Sequence, residues 1–249
     1  MLKQFLSPPN WFTAASIFCG FYAVLLAGGA DAGATQFYQA GLLIGFAGVF
    51  DVLDGRVARM TNSSSEFGVQ LDSLADALSF GLAPAVLVYR WGLDSLGIVG
   101  LAASFFFMIC GIFRLARFNT GAADNEEWDR SRGLTITMGG GSLAALVMFH
   151  AATGKSFVAN PWGPFAIVLM VAFLMVSAVP YRTAKSLKMN TATKVFFALL
   201  FGGLILVGIF FDISFIVLPV MASYVLSGPI EGAIIAGRSA RARARAKRQ

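Results

Sequence analysis

Charge is what this chain has least of. Asp, Glu, Lys and Arg together make up 13% of its 249 residues, against 57% hydrophobic ones, and the mean hydropathy is +0.73. A soluble domain needs roughly twice that charged share to cover its surface, so the composition excludes one. Cysteine is scarce too. Cys19 and Cys110 both fall inside apolar runs, which excludes a disulfide framework and a thiolate metal site and leaves them as packing residues. The one histidine, His150, stands alone in an apolar stretch and reads as packing or interfacial rather than catalytic. Gly139-Gly140-Gly141 lacks the strand and lysine of a phosphate loop, so close helix contact is the better account. The N-terminus, with Lys3 and Pro8-Pro9-Asn10 ahead of a full-length run, lacks the small-residue cleavage site of a signal peptide.

What is abundant is apolar sequence in runs of the roughly 20 residues that cross a bilayer. Eight spans are expected, over 10–29, 36–59, 70–90, 95–117, 134–153, 162–180, 193–210 and 212–229. The expected fold is therefore all-α, a polytopic integral membrane helical bundle. Charge placement tests the count. With both termini cytoplasmic, 17 of the 19 Lys and Arg lie inside, and only Arg90 and Lys155 fall outside. The positive-inside rule asks for that bias, and shifting the count by one span destroys it. Residues 1–237 read as one membrane-embedded catalytic domain and 238–249 as a basic cytoplasmic tail. The tail alternates arginine with alanine and reads as disordered or loosely helical chain that touches anionic membrane lipid. It has no folded reader or stacking aromatics, so no nucleic acid is expected as partner.

Against that background four aspartates stand out. Asp51 and Asp54 are three residues apart and Asp72 and Asp76 four apart, so each pair shares a helix face at the inner ends of spans two and three. Carboxylates at a bilayer edge cost several kcal/mol unless compensated. If the two spans pack antiparallel, the faces meet around a pocket that opens to the cytoplasm. Two divalent cations, Mg²⁺ or Mn²⁺, would neutralise the set, since hard cations take oxygen ligands. Paired metals about 3.5–4 Å apart are a recurrent device for displacement at phosphorus. Gly55, Ala58 and Gly68 clear space beside the carboxylates, and Arg59 supplies a planar fork suited to phosphate.

The string Asp51-x2-Asp54-Gly55-x2-Ala58-Arg59-x8-Gly68-x3-Asp72-x3-Asp76 fixes eight residues over 26 positions. It resembles the signature of the CDP-alcohol phosphotransferases at every defined position. The resemblance implies an integral membrane enzyme in which an alcohol attacks the lipid-side phosphorus of a CDP-linked lipid and CMP leaves. It implies that Asp51 and Asp72 touch both metals, Asp54 the first and Asp76 the second, with Asp76 also the general base. Gly55 and Arg59 would line the CDP site together with Ser65. Asn10 and Thr13, in a segment similar to the family's approach to span one, would face the nucleotide. A homodimer and a location in the inner membrane, with the site facing the cytoplasm, come with the same resemblance.

The acceptor rests on a second segment. Phe113-Arg114-Leu115-Ala116-Arg117-Phe118-Asn119 closely resembles the corresponding stretch of the serine-using members of that family. Arg114, Arg117 and Asn119 are thus expected at the acceptor or at the lipid phosphate, with CDP-diacylglycerol and serine as substrates. Leu174-Met175-Val176-Ser177 through Pro180-Tyr181 is similar to the same branch. A departure follows the polar loop: Gly133-Leu134-Thr135-Ile136-Thr137 stands where that branch carries Gly-Leu-Pro-x-Pro. Glycerol 3-phosphate, an inositol phosphate and choline are the alternative acceptors. A cation transporter is the alternative class, and it predicts acids at the bilayer midplane and repeated halves, neither of which the sequence has.

Overall fold

The computed structural model describes residues 8–61, 65–121, 130–182 and 212–246. Its helices are α1 (Pro8–Gly28), α2 (Ala34–Met60), α3 (Glu66–Asp76), α4 (Ala83–Val88), α5 (Ile98–Gly121), α6 (Ile136–Ala152), α7 (Trp162–Val176) and α8 (Ser214–Ala246). Among the described residues, four stretches are long and apolar enough to cross a membrane: Pro9–Gly28, Glu66–Leu96, Ile98–Thr120 and Ser214–Ile234. Large apolar side chains such as Phe18, Phe21, Phe46, Phe105, Phe113 and Phe173 stand exposed around the bundle. Soluble monomers rarely present so much apolar surface, and lipid suits it. The protein is an all-α membrane helical protein.

Local chemistry sets the helix starts. Pro8 and Pro9 occupy the first turn of α1, where a missing N–H costs nothing. The Ser65 hydroxyl accepts from the Gly68 N–H at 3.1 Å and caps α3, so this span begins at Glu66, four residues before the expected boundary. Thr135 caps α6 by accepting from the Met138 N–H at 3.3 Å, and Gly133 turns into it with a φ of +84°. A threonine cap thus starts this helix where the resembling branch has proline. Two three-residue strands, β1 (Arg130–Arg132) and β2 (Pro180–Arg182), pair antiparallel and tie the start of α6 to the end of α7. The expected span at 193–210 lies outside the described residues.

Two features of these elements have physical causes. The third span is not uniform: α3 and α4 are separated by a wide turn over Ala77–Leu82, and a second wide turn follows at Tyr89–Leu93. Of the two forms expected of the tail the helical one is seen, with α8 continuing through Ala246. Alanine and arginine are strong helix formers, and that outweighs the alternation of charge. Pro229 sits inside α8 without breaking it. Having no N–H, it leaves the Val225 carbonyl without its helical donor. The buried Tyr181 hydroxyl donates to that carbonyl at 3.0 Å. Gly228 makes room for the ring, since a Cβ there would overlap Tyr181.

The core is built by α1 against α2, α2 against α6, α5 against α7 and α8 against α6. Small residues let α6 come close to α7 and to the wide turn as well, as expected of the Gly139–Gly141 run. A Cβ on Gly139 would lie 3.0 Å from Met175 Sδ, and one on Gly140 3.0 Å from Phe80 Cα. Cys19 and Cys110 are free and buried in this core. His150 accepts from Trp91 Nε1 at 3.0 Å, so its ring is a partner in packing.

Candidate active site

Packing of α1, α2, α3 and the last turns of α5 brings the sequence-predicted residues to one end of the bundle. Asp51 and Asp54 lie one turn apart on α2, and Asp72 and Asp76 one turn apart on α3. Oxygens of Asp51, Asp72 and Asp76 all lie within 4.8 Å of one another, and the three residues are half-buried. Like charges at that separation repel unless a cation stands among them. Three carboxylates offer the hard donors that divalent cations favour, so the residues fit a metal site.

Asp54 stands apart from that trio. It is 6% exposed, and its Oδ2 accepts from the Thr13 hydroxyl at 2.9 Å. The four expected carboxylates thus gather as a trio with Asp54 beside it, one Asp54 oxygen being held from α1. The physical reason is the donor on α1: a buried carboxylate goes to a hydroxyl in reach.

Beside the trio lies a pocket of about 190 Å³ lined by Asn10, Thr13, Asp54, Gly55, Ala58, Arg59, Ser65, Gly68 and Asp72, with Pro9 and Val69 completing the wall. The seven residues expected to line the CDP site or to clear space beside it are all on this wall. Arg59 folds back over Gly55, where an added Cβ would stand 3.7 Å from Nη1, in ordinary van der Waals contact. A carboxylate edge and a guanidinium edge flank small residues, which suits a phosphate-bearing ligand joined to a metal.

The Phe113–Asn119 segment divides. Arg114 is buried, lies 5.5 Å from the Phe118 ring centroid and is within electrostatic reach of Asp76 and Tyr224. Arg117 Nη1 donates instead to the Val176 carbonyl at 3.1 Å, at the end of α7. Asn119 Nδ2 donates to Ser73 Oγ at 2.9 Å, one residue from Asp72. Sequence reading missed Ser73, Ser79 and Tyr224. Ser73 and Ser79 do lie between and just after the two α3 carboxylates, but their partners are remote in sequence.

A membrane-embedded helical bundle with a carboxylate trio beside a phosphate-suited pocket defines a class of lipid-handling enzyme. The sequence model of the CDP-alcohol phosphatidyltransferase family matches residues 6–225, and the chain belongs to that family of enzymes. It is similar to a CDP-diacylglycerol–serine O-phosphatidyltransferase of Helicobacter pylori (strain ATCC 700392 / 26695), 34% identical over 189 residues that cover 73% of this chain and 74% of the relative. It is also similar to the archaetidylserine synthase of Methanothermobacter thermautotrophicus, 29% identical over 77% of this chain and 76% of the relative. A CDP-diacylglycerol–serine O-phosphatidyltransferase of Saccharomyces cerevisiae is 51% identical over 74 residues, 30% of this chain and 26% of that protein.

Proposed function

We propose that the protein transfers the phosphatidyl group of CDP-diacylglycerol to the hydroxyl of L-serine. The single observation that carries the transfer chemistry is the Asp51–Asp72–Asp76 trio standing beside the Asn10–Gly68 pocket. Serine as acceptor is supported by the activities named for the relatives. Asn10, Thr13, Gly55, Ala58, Ser65 and Gly68 seat the nucleotide, and Arg59 grips its phosphates. Asp76 takes the proton of the serine hydroxyl as the oxygen bonds to the lipid-side phosphorus. The phosphoanhydride bond breaks and CMP leaves with the electron pair. Asp51 and Asp72 would hold both divalent cations, Mg²⁺ or Mn²⁺, Asp54 the first and Asp76 the second. When bound, the pair supplies Lewis acidity to the phosphate oxygens. Arg114 faces the acceptor carboxylate or the lipid phosphate. Arg117 and Asn119 hold the surrounding helices.

The topology that fits this reading has eight spans, both termini in the cytoplasm and the site opening to the cytoplasmic face of the inner membrane. Residues 1–237 form the catalytic domain, and the basic stretch 238–249 touches anionic lipid. A homodimer is part of the same proposal. The test is incorporation of labelled serine, glycerol 3-phosphate, inositol phosphate or choline into lipid by purified protein with CDP-diacylglycerol and Mg²⁺ or Mn²⁺. Serine product with stoichiometric CMP is expected. A product from another acceptor with none from serine overturns the assignment.

A further inference from the structure

Directly after Asp76 the helix changes pitch. Over Ala77–Leu82 its hydrogen bonds reach five residues back, as in the Ala83 N–H donating to the Leu78 carbonyl. One extra residue in a turn rotates all that follows by about 100° relative to a continuous α-helix. Asp72 and Asp76 are phased by α3, whereas Ala83, Leu87 and Val88 are phased by the wide turn and are fully buried. A continuous α-helix cannot satisfy both faces. With the buried face of α4 fixed, it would carry Asp72 and Asp76 together about 100° away from Asp51.

Two neighbouring helices press on the wide turn, and each does so through a glycine. A Cβ on Gly20 of α1 would stand 2.8 Å from Ser79 Cα. One on Gly140 of α6 would overlap the Phe80 carbonyl oxygen. Both contacts are with backbone, which cannot swing aside as a side-chain tip can. The turn is also pinned by its hydroxyl: Ser79 Oγ donates to the Ser16 carbonyl at 2.9 Å, and Ser16 Oγ donates to Ser79 Oγ at 3.4 Å. We propose that Gly20, Gly140 and Ser79 are positioning residues, which hold the wide turn in place and thereby aim Asp72 and Asp76 at Asp51. The inference deepens the metal-site reading above and rests on it.

The experiment follows thermal unfolding of the purified full chain during Mn²⁺ titration, beside steady-state kinetics. In wild type, Mn²⁺ raises Tm and Asp72→Asn removes the rise; no rise in wild type defeats the metal-site reading itself. In Gly140→Ala the Mn²⁺ concentration at half-saturation of that rise increases on the order of tenfold, since a displacement of about 1 Å is enough to misplace a catalytic group. kcat falls with it, while KM for CDP-diacylglycerol stays within about twofold. Gly41→Ala is the packing control, because its Cβ would overlap the Met148 side chain far along α2 from Asp51. It lowers Tm and leaves the Mn²⁺ half-saturation unchanged. Gly141→Ala, whose Cβ meets nothing closer than Met221 Sδ at 4.0 Å, changes neither. An unchanged half-saturation in Gly140→Ala, or an equal increase in Gly41→Ala, overturns the inference. If Gly140→Ala does not fold, Ser79→Ala decides: a smaller increase in the same direction supports the inference and none overturns it.

Discussion

The two ends of the bundle treat polar groups in opposite ways. At the far end polar groups form complementary pairs: Arg90 Nη1 meets Asp94 Oδ2 at 3.0 Å, Tyr38 donates to Asp212 at 2.9 Å and Trp91 donates to His150 at 3.0 Å. At the carboxylate end Asp51, Asp72 and Asp76 face one another. Asp76 and Arg90 are on the same rod, so the contrast plays out within a single span. Matched pairs lower the energy of the fold by themselves, whereas mutually facing carboxylates raise it until a ligand arrives. A site that costs stability is kept for chemistry.

That contrast is broken most forcefully at Asp76. Asp76→Asn keeps the side chain's size, removes the carboxylate proposed as the base and removes one repelling charge. CMP release falls by about 10²–10⁴-fold, the range a general base contributes. Tm measured without divalent cation holds or rises. A large fall in Tm with preserved turnover would place Asp76 among the structural pairs. The far end responds the other way. Trp91→Phe leaves the His150 acceptor without its donor, at a cost of about 1–3 kcal/mol in unfolding free energy, while kcat is unchanged. Chemical denaturation beside serine incorporation measures both quantities on one preparation.

How far each end was legible in the sequence follows from the range of the interactions. Apolar runs announce the spans locally, and four aspartates in an oily stretch announce the site. Gly55, Arg59 and Gly68 needed only the neighbouring turns to be placed on one wall. Asp54 leaves the trio because of a hydroxyl 41 residues upstream, and no spacing rule contains that partner. Arg117 is expected with Arg114 from the segment they share, yet it reaches a carbonyl 59 residues downstream. The wide turn after Asp76 is invisible for another reason. Ala77-Leu-Ser-Phe-Gly-Leu82 has Ser79 as its one polar side chain and carries no periodic contrast that an inserted residue could shift. The helical continuation to Ala246 was left open between two forms by charge alternation, which says nothing about backbone preference.

One contact at the carboxylate end is built like those at the far end, and it sharpens the comparison most finely. Asn119 Nδ2 donates to Ser73 Oγ at 2.9 Å, joining the last turns of α5 to the residue beside Asp72. If Asn119 holds α3, its loss and the loss of Ser73 remove the same interaction. Asn119→Ala and Ser73→Ala then each cost about 0.5–1.5 kcal/mol, and the double variant costs little more than either. If Asn119 instead binds serine, Asn119→Ala raises KM for serine, Ser73→Ala does not, and the two effects add. Unfolding free energies and serine KM values for the four proteins of the cycle separate the cases. Coupling near the full single-variant cost, with serine KM unmoved, makes Asn119 a structural partner and leaves Arg114 as the residue of its segment that faces the reaction.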